Sequence, residues 1–122
     1  TNFKIIRPEQ TLRDLLPIIS TSTRNIYPVV DEKGNFKGHV LFDSIRKIIF
    51  DPEQYDTLIE DIMLLPDYLV TTEDSAEDVV KKFERSGNYN IAVVEGKKYL
   101  GYISRALIFT TYQATLKEIS DD

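Results

Sequence analysis

The sequence reads "IYPVV" at residues 26–30 and "NIAVV" at residues 90–94, and each run is followed by a charged turn and a glycine. A shift of 64 residues lays one on the other, and the match extends well beyond these positions. Ile5-Ile6 falls on Leu69-Val70, Glu9 on Glu73, Thr11 on Ser75 and Asp14 on Asp78. Leu12, Leu15, Leu16 and Ile19 fall on Ala76, Val79, Val80 and Phe83. The offset holds from about residue 4 to residue 30, then drops to 63, so that Gly38 meets Gly101 past a second turn one residue shorter. Self-similarity at a fixed period decides architecture before any single motif does.

What repeats is physics more than identity. Leu12, Leu15, Leu16 and Ile19 sit at i, i+3, i+4 and i+7, one face of a helix, and the second copy keeps the spacing. Thr11-x-x-Asp14 and Ser75-x-x-Asp78 open the two helices. The hydroxyl accepts from a free first-turn N–H, and the acid favours the positive end of the helix dipole. Pro17 lacks the helical donor and is expected to kink or shorten the first helix. Polar breaks follow, "STSTRN" (20–25) and "RSGNYN" (85–90), and then the runs 27–30 and 91–94, which read as buried strands. After the turns "DEKGN" (31–35) and "EGKK" (95–98), second strands start near Phe36 and Tyr99. Gly38 and Gly101 lie inside them, where glycine signals a bulge or a close approach. A helix then starts near Asp43 and near Arg105.

The fold class is therefore α+β (α/β-like), with two β-α-β-β-α repeats. Neither half has enough residues to bury its own apolar surface well, so the expectation is pseudo-two-fold packing of one on the other. The expected division is 1–50 for the first repeat, 51–66 for a connector with short helical turns, and 67–122 for the second repeat.

A net charge of −5 works against nucleic-acid binding, which needs clustered Lys and Arg. Lys81-Lys82 and Lys97-Lys98 read as solvated surface. The absence of cysteine excludes a disulfide framework and thiolate metal sites. No apolar run reaches the roughly 20 residues of a membrane span, and no signal-peptide pattern is present. The start at Thr1 suggests a piece of something larger. His39 is the only histidine, which rules out an all-histidine metal site and leaves a general base without an obvious partner. The acidic run "TTEDSAED" (71–78) lacks the glycine of a calcium loop and reads as helix capping. With no nucleophile–base constellation and no Gly-rich phosphate loop, no enzyme is expected.

The doubled order resembles a tandem pair of cystathionine-β-synthase-type (CBS) domains over nearly the whole chain. The pieces that carry the resemblance are "TLRDLL" (11–16), "YPVVDEKGNFKGHV" (27–40), "EDIM" (60–63) leading into "LVTTEDSAEDVV" (69–80), and "NYNIAVVEGKKYLGYISRALIF" (88–109). The resemblance implies a regulatory module, with no cofactor required, whose relatives bind ATP, ADP or AMP between repeats and pair into discs. A narrower likeness is to the cytosolic C-terminal part of bacterial chloride channel family proteins, carried by "IIFDPEQYDTLIEDIM" (48–63) and "GYISRALIFTTYQATLKEIS" (101–120). It implies a voltage-gated-type chloride channel or chloride/proton exchanger whose gating or dimer assembly the module modulates. The partners are then a second copy and the transmembrane part of the same chain, on the cytoplasmic side of the cell membrane, with membrane contact only through the full-length protein. The alternative is a free-standing or enzyme-attached adenylate sensor, or the CBS pair of another transporter such as one for magnesium.

In such families a Gly-h-h-[Ser/Thr]-x-x-[Asp/Asn] run, where h is apolar, meets phosphate with the hydroxyl and ribose with the acid. The first copy, Gly38 to Ser44, has Leu41 in the hydroxyl place, and Asp43 comes one position early, roughly 100° round a helix. The second copy, Gly101 to Leu107, keeps Ser104 but has Leu107 for the acid. The resemblance implies one degenerate cleft centred on Ser104, with Thr71, Asn88, Tyr89 and Asn90 nearby and Tyr27 as a stacking ring. The other reading is that Ser104 caps the last helix and the tyrosines are interface core. An apolar face on that helix (Ile108, Phe109, Tyr112, Leu116) is the expected dimer surface.

Overall fold

The capping signal read at Thr11 forms as a reciprocal pair. In the computed structural model, which describes residues 4–108, Asp14 N–H donates to Thr11 Oγ1 at 3.4 Å and Thr11 N–H to the Asp14 carboxylate at 3.0 Å. Two otherwise orphaned donors are satisfied, and α1 (Leu12–Ser20) starts there. It runs through Pro17 and stops at Ser20, and the Ser20 and Thr21 hydroxyls donate to the Pro17 carbonyl. The chain divides into two units, the first ending at Pro66 and the second beginning at Asp67.

In the first unit β1 (Ile26–Val30) and β2 (Phe36–Leu41) form an antiparallel hairpin. Ile6 lies along the other edge of β1 in a single parallel bridge, its N–H donating to Pro28 O and its carbonyl accepting from Val30 N–H, both at 2.9 Å. The core is made by Ile6, Leu12, Leu15, Tyr27, Val29, Val40, Ile45 and Ile59. After α2, a single turn at Phe42–Ile45, residues 51–66 pass through a 3₁₀ turn (Pro52–Gln54) and α3 (Ile59–Ile62). Leu12 N–H donates to Thr57 O and Ile59 N–H to Gln10 O, so this segment is fastened to the start of α1.

The second strand carries the expected irregularity. Val29 faces Gly38 but Val30 faces Phe36, which leaves Lys37 as an extra residue. Gly38 has φ +155°, and a Cβ there would lie 2.7 Å from the Leu64 carbonyl oxygen. Both readings of this glycine hold, since a bulge and a close backbone approach meet at one residue.

The second unit repeats the plan. β3 (Val70–Thr71) leads to α4 (Ala76–Ser86), capped by the same box at Ser75 and Asp78. α4 is longer than α1 and ends on Gly87 in the left-handed conformation, φ +68°, a frequent stop for a helix free of proline. β4 (Asn90–Glu95) pairs in parallel with β3 and antiparallel with β5 (Lys98–Ser104), giving the order β3-β4-β5. Val93 faces Gly101 and Val94 faces Tyr99, so Leu100 takes the place of Lys37. Val70, Val79, Phe83 and Ile91 form the core. Residues 105–108 are helical. Ile108, expected on the dimer surface, is partly buried and packs against this core. Phe109, Tyr112 and Leu116 lie outside the described residues.

Gly101, at φ +147°, has no described atom within 4 Å of a built Cβ. Gly101→Ala should therefore cost only backbone strain, about 1–2 kcal/mol. Gly38→Ala adds the collision with Leu64 and should cost about 2–4 kcal/mol in urea unfolding. Equal losses would remove the Leu64 approach as the reason for glycine at position 38.

Candidate functional site

The antiparallel return of β5 along β4 places Ser104 opposite Asn90 and Ile103 opposite Ile91. Arg105 N–H donates to the Tyr89 carbonyl at 2.8 Å and ties the helical segment to the entry of β4. Ser104 Oγ accepts from Leu107 N–H at 3.2 Å, so the serine caps the helical turn. That bond uses an acceptor lone pair and leaves the hydroxyl its own proton to donate. Capping and ligand contact are thus compatible in one side chain. Asn88 N–H donates to Ser86 Oγ at 3.1 Å, and the Tyr89 side chain is largely exposed. Asn88, Tyr89, Asn90 and Ser104 therefore share one end of the second sheet.

Thr71 does not join them. In the parallel pair it faces Val94, while Asn90 starts that strand, a separation of about 13 Å at strand rise. Its N–H donates to Asp74 Oδ2 at 2.9 Å, and its hydroxyl accepts from Glu73 N–H. Lys82 Nζ reaches the same Asp74 oxygen at 2.6 Å and the Leu69 carbonyl at 2.7 Å. Thr71 is thus part of a turn clip. The Lys82 hydrogen bond, then the Thr71 backbone bond, hold the Asp74 carboxyl below its ordinary value.

Tyr27 is corrected as well. It is 0% exposed within the first core, and its hydroxyl donates to the Arg24 carbonyl at 2.9 Å. The ring is thus not open to solvent as a stacking platform. His39 is half-buried at the β2 edge, its ring meeting Phe36 edge-on at 6.5 Å, and burial lowers its pKa.

The first unit has a cavity that the sequence reading did not single out. It is about 200 Å³ and is lined by Ile19, Ser22, Thr23, Arg24, Asn25, Tyr27 and Phe42. Phe42 N–H donates to Asn25 O at 2.9 Å, the counterpart of the Arg105–Tyr89 bond. The helical turn here has no side-chain cap. Ser44 Oγ instead donates back to Leu41 O at 2.8 Å, and the exposed Asp43 pairs with Arg46. The signal for this cavity was present, because the offset of 64 carries Ser22–Asn25 onto Ser86–Tyr89.

The family model for the CBS domain matches residues 1–51 and 59–112. The chain belongs to the CBS domain family. A CBS pair is a regulatory fold without catalytic chemistry of its own. No curated protein matches the sequence. Among solved structures, Staphylococcus aureus OpuCA is similar at 22% identity and TM-score 0.75, over 94% of this chain and 96% of that one. CBSX2 in complex with AMP is similar at 19% identity and TM-score 0.69, over 93% and 90%. The soluble part of a magnesium transporter is similar at 22% identity and TM-score 0.73, over 94% of this chain and 45% of that one. At such identities the likeness is one of fold.

The clip gives this CBS pair an acid-sensitive element. The folded pKa of Asp74 lies below the ordinary 3.8, so its stabilisation is complete above that value and is lost as pH falls through the folded one. Asp74→Asn should lower stability at neutral pH by about 1 kcal/mol and flatten the acid limb of a stability–pH curve. An acid limb of unchanged slope would show that the carboxylate contributes nothing there.

Proposed function

We propose that this chain is a regulatory CBS-pair module that senses an adenine nucleotide, either free-standing or attached to an enzyme or a transporter. The observation that carries the reading is Ser104, a helix cap with a proton to donate, beside Asn88, Tyr89 and Asn90 at one end of the second sheet. The likeness to CBSX2 in complex with AMP supports the ligand class, and the likeness to the magnesium transporter supports a transporter host. The chloride channel host expected from residues 48–63 and 101–120 gains no support from these likenesses and ranks behind both alternatives. Among the described residues, no helix is long and apolar enough to cross a membrane. In a transporter the module belongs on the cytoplasmic side, as a neighbour of the membrane part. Pairing with a second copy is part of the proposal. Such a module acts only through contacts that differ between two states of its host.

Calorimetric titration of the chain with ATP, ADP and AMP tests this reading. At least one should bind in the micromolar range. Ser104→Asp keeps a good helix cap and sets a negative charge against phosphate, so it should fold normally and weaken binding at least about tenfold, roughly 1.4 kcal/mol. Silence for all three nucleotides at millimolar concentration would overturn the sensor and leave a scaffold.

A further inference from the structure

The segment between the repeats is held in two very different ways. Its first part is anchored to the first unit: Arg13 N–H donates to Tyr55 O, Leu12 N–H to Thr57 O, Ile59 N–H to Gln10 O and Glu60 N–H to Pro8 O. Ile59 is 0% exposed, and Met63 packs against the core and donates its N–H to Ile59 O at 2.9 Å. Past Met63 the character changes. Leu64 is joined to β2 by two backbone bonds with His39, Leu64 N–H to His39 O at 2.8 Å and His39 N–H to Leu64 O at 3.0 Å. The bridge is a single residue pair. Leu64 and Leu65 are 43% and 76% exposed, so apolar burial backs these bonds only in part. Gly38 alone lets the Leu64 carbonyl come this close.

We infer that residues 64–66 are a detachable latch on the β2 edge, which opens while the rest of the first unit stays folded. Elements with few buried apolar contacts and exposed backbone bonds open at lower free energy than the core. Opening separates Leu64 from His39 and bares that edge of β2. From the latch the chain runs through residues 67–69 into β3. Any pull along this tether therefore reaches the latch before it reaches Ile59. The inference stands apart from nucleotide binding and does not depend on it.

Native-state hydrogen exchange on the whole chain, followed by NMR, tests it. The amides of Leu64 and His39 should exchange together, at least about tenfold faster than those of Ile59 and Val30, with little denaturant dependence. A single rate and slope shared by all four amides would overturn the latch. Leu64→Pro removes one donor without touching β2. Met63, at φ −74° and ψ 157°, already has the backbone that precedes a proline. In this variant the His39 amide should exchange at least about tenfold faster while Ile59 is unchanged. Equal acceleration at Ile59 would show that residues 64–66 and the core unfold as one.

Discussion

One extra residue in the second hairpin strand of each repeat governs where everything after it lies. Side chains alternate along a strand, so a slip of one residue exchanges its faces. The bulge at Lys37 makes that slip once, on purpose, and the register beyond it sets Val40 against Tyr27 and Leu41 against Ile26. Val40 is thereby buried and half-buried His39 turns to the other face. The bulge at Leu100 does the same for Ile103 and Ser104. Both bulges need a glycine with positive φ beside the extra residue. The position of the candidate site is thus a consequence of Gly101, three residues before Ser104 and outside the site itself.

The two repeats share this frame and differ in what they mount on it. At matching strand ends the first unit presents Leu41 and Phe42, and the second presents Ser104 and Arg105. The backbone bond that closes each end is kept, Phe42 to Asn25 and Arg105 to Tyr89. Chemistry therefore varies while geometry does not. Loss of the hydroxyl at Leu41 leaves that helical turn without a side-chain cap. The first unit also has a pocket at its entry loop, lined by residues 22–25 together with Ile19, Tyr27 and Phe42.

The architecture was legible because it rests on local rules written twice. The capping boxes at Thr11 and Ser75, the helical faces and the bulge glycines each follow from residue type and spacing, and a second copy makes chance an unsatisfactory account. The site residues were legible only where the same local rules reached them. Of the two readings left open for Ser104, the cap is the one that local rules reach, since a serine one residue before a helix readily accepts from its first turn. Tyr27 misled, since a tyrosine carries a polar tip and an apolar ring, and no pattern tells that Arg24 O satisfies the tip inside the core. Thr71 misled because its neighbour depends on strand direction. The parallel pairing of β3 sends it to the end of β4 away from Asn90. How far Ile108 is covered depends on the sheet its helix meets, which no local pattern gives.

How such a site would speak to a host depends on how its end of the sheet is joined. The cap at Ser104, the entry of β4 and the helical turn meet there through the Asn90–Ser104 strand pair, one bond from Leu107 N–H to the Ser104 hydroxyl and one from Arg105 N–H to the Tyr89 carbonyl. On the proposed reading, a ligand that takes the Ser104 proton and a side-chain amide of Asn88 or Asn90 adds a bridge between elements already paired in the sheet. Its binding free energy is then divided between contact and ordering. Ordering at this end is the part that a host can feel, because only an effect that differs between two states can shift their balance. A tight site built on a rigid end would bind well and signal nothing. On the proposed reading, the end that carries Ser104 regulates only if its ligand orders it differently in the two states of a host.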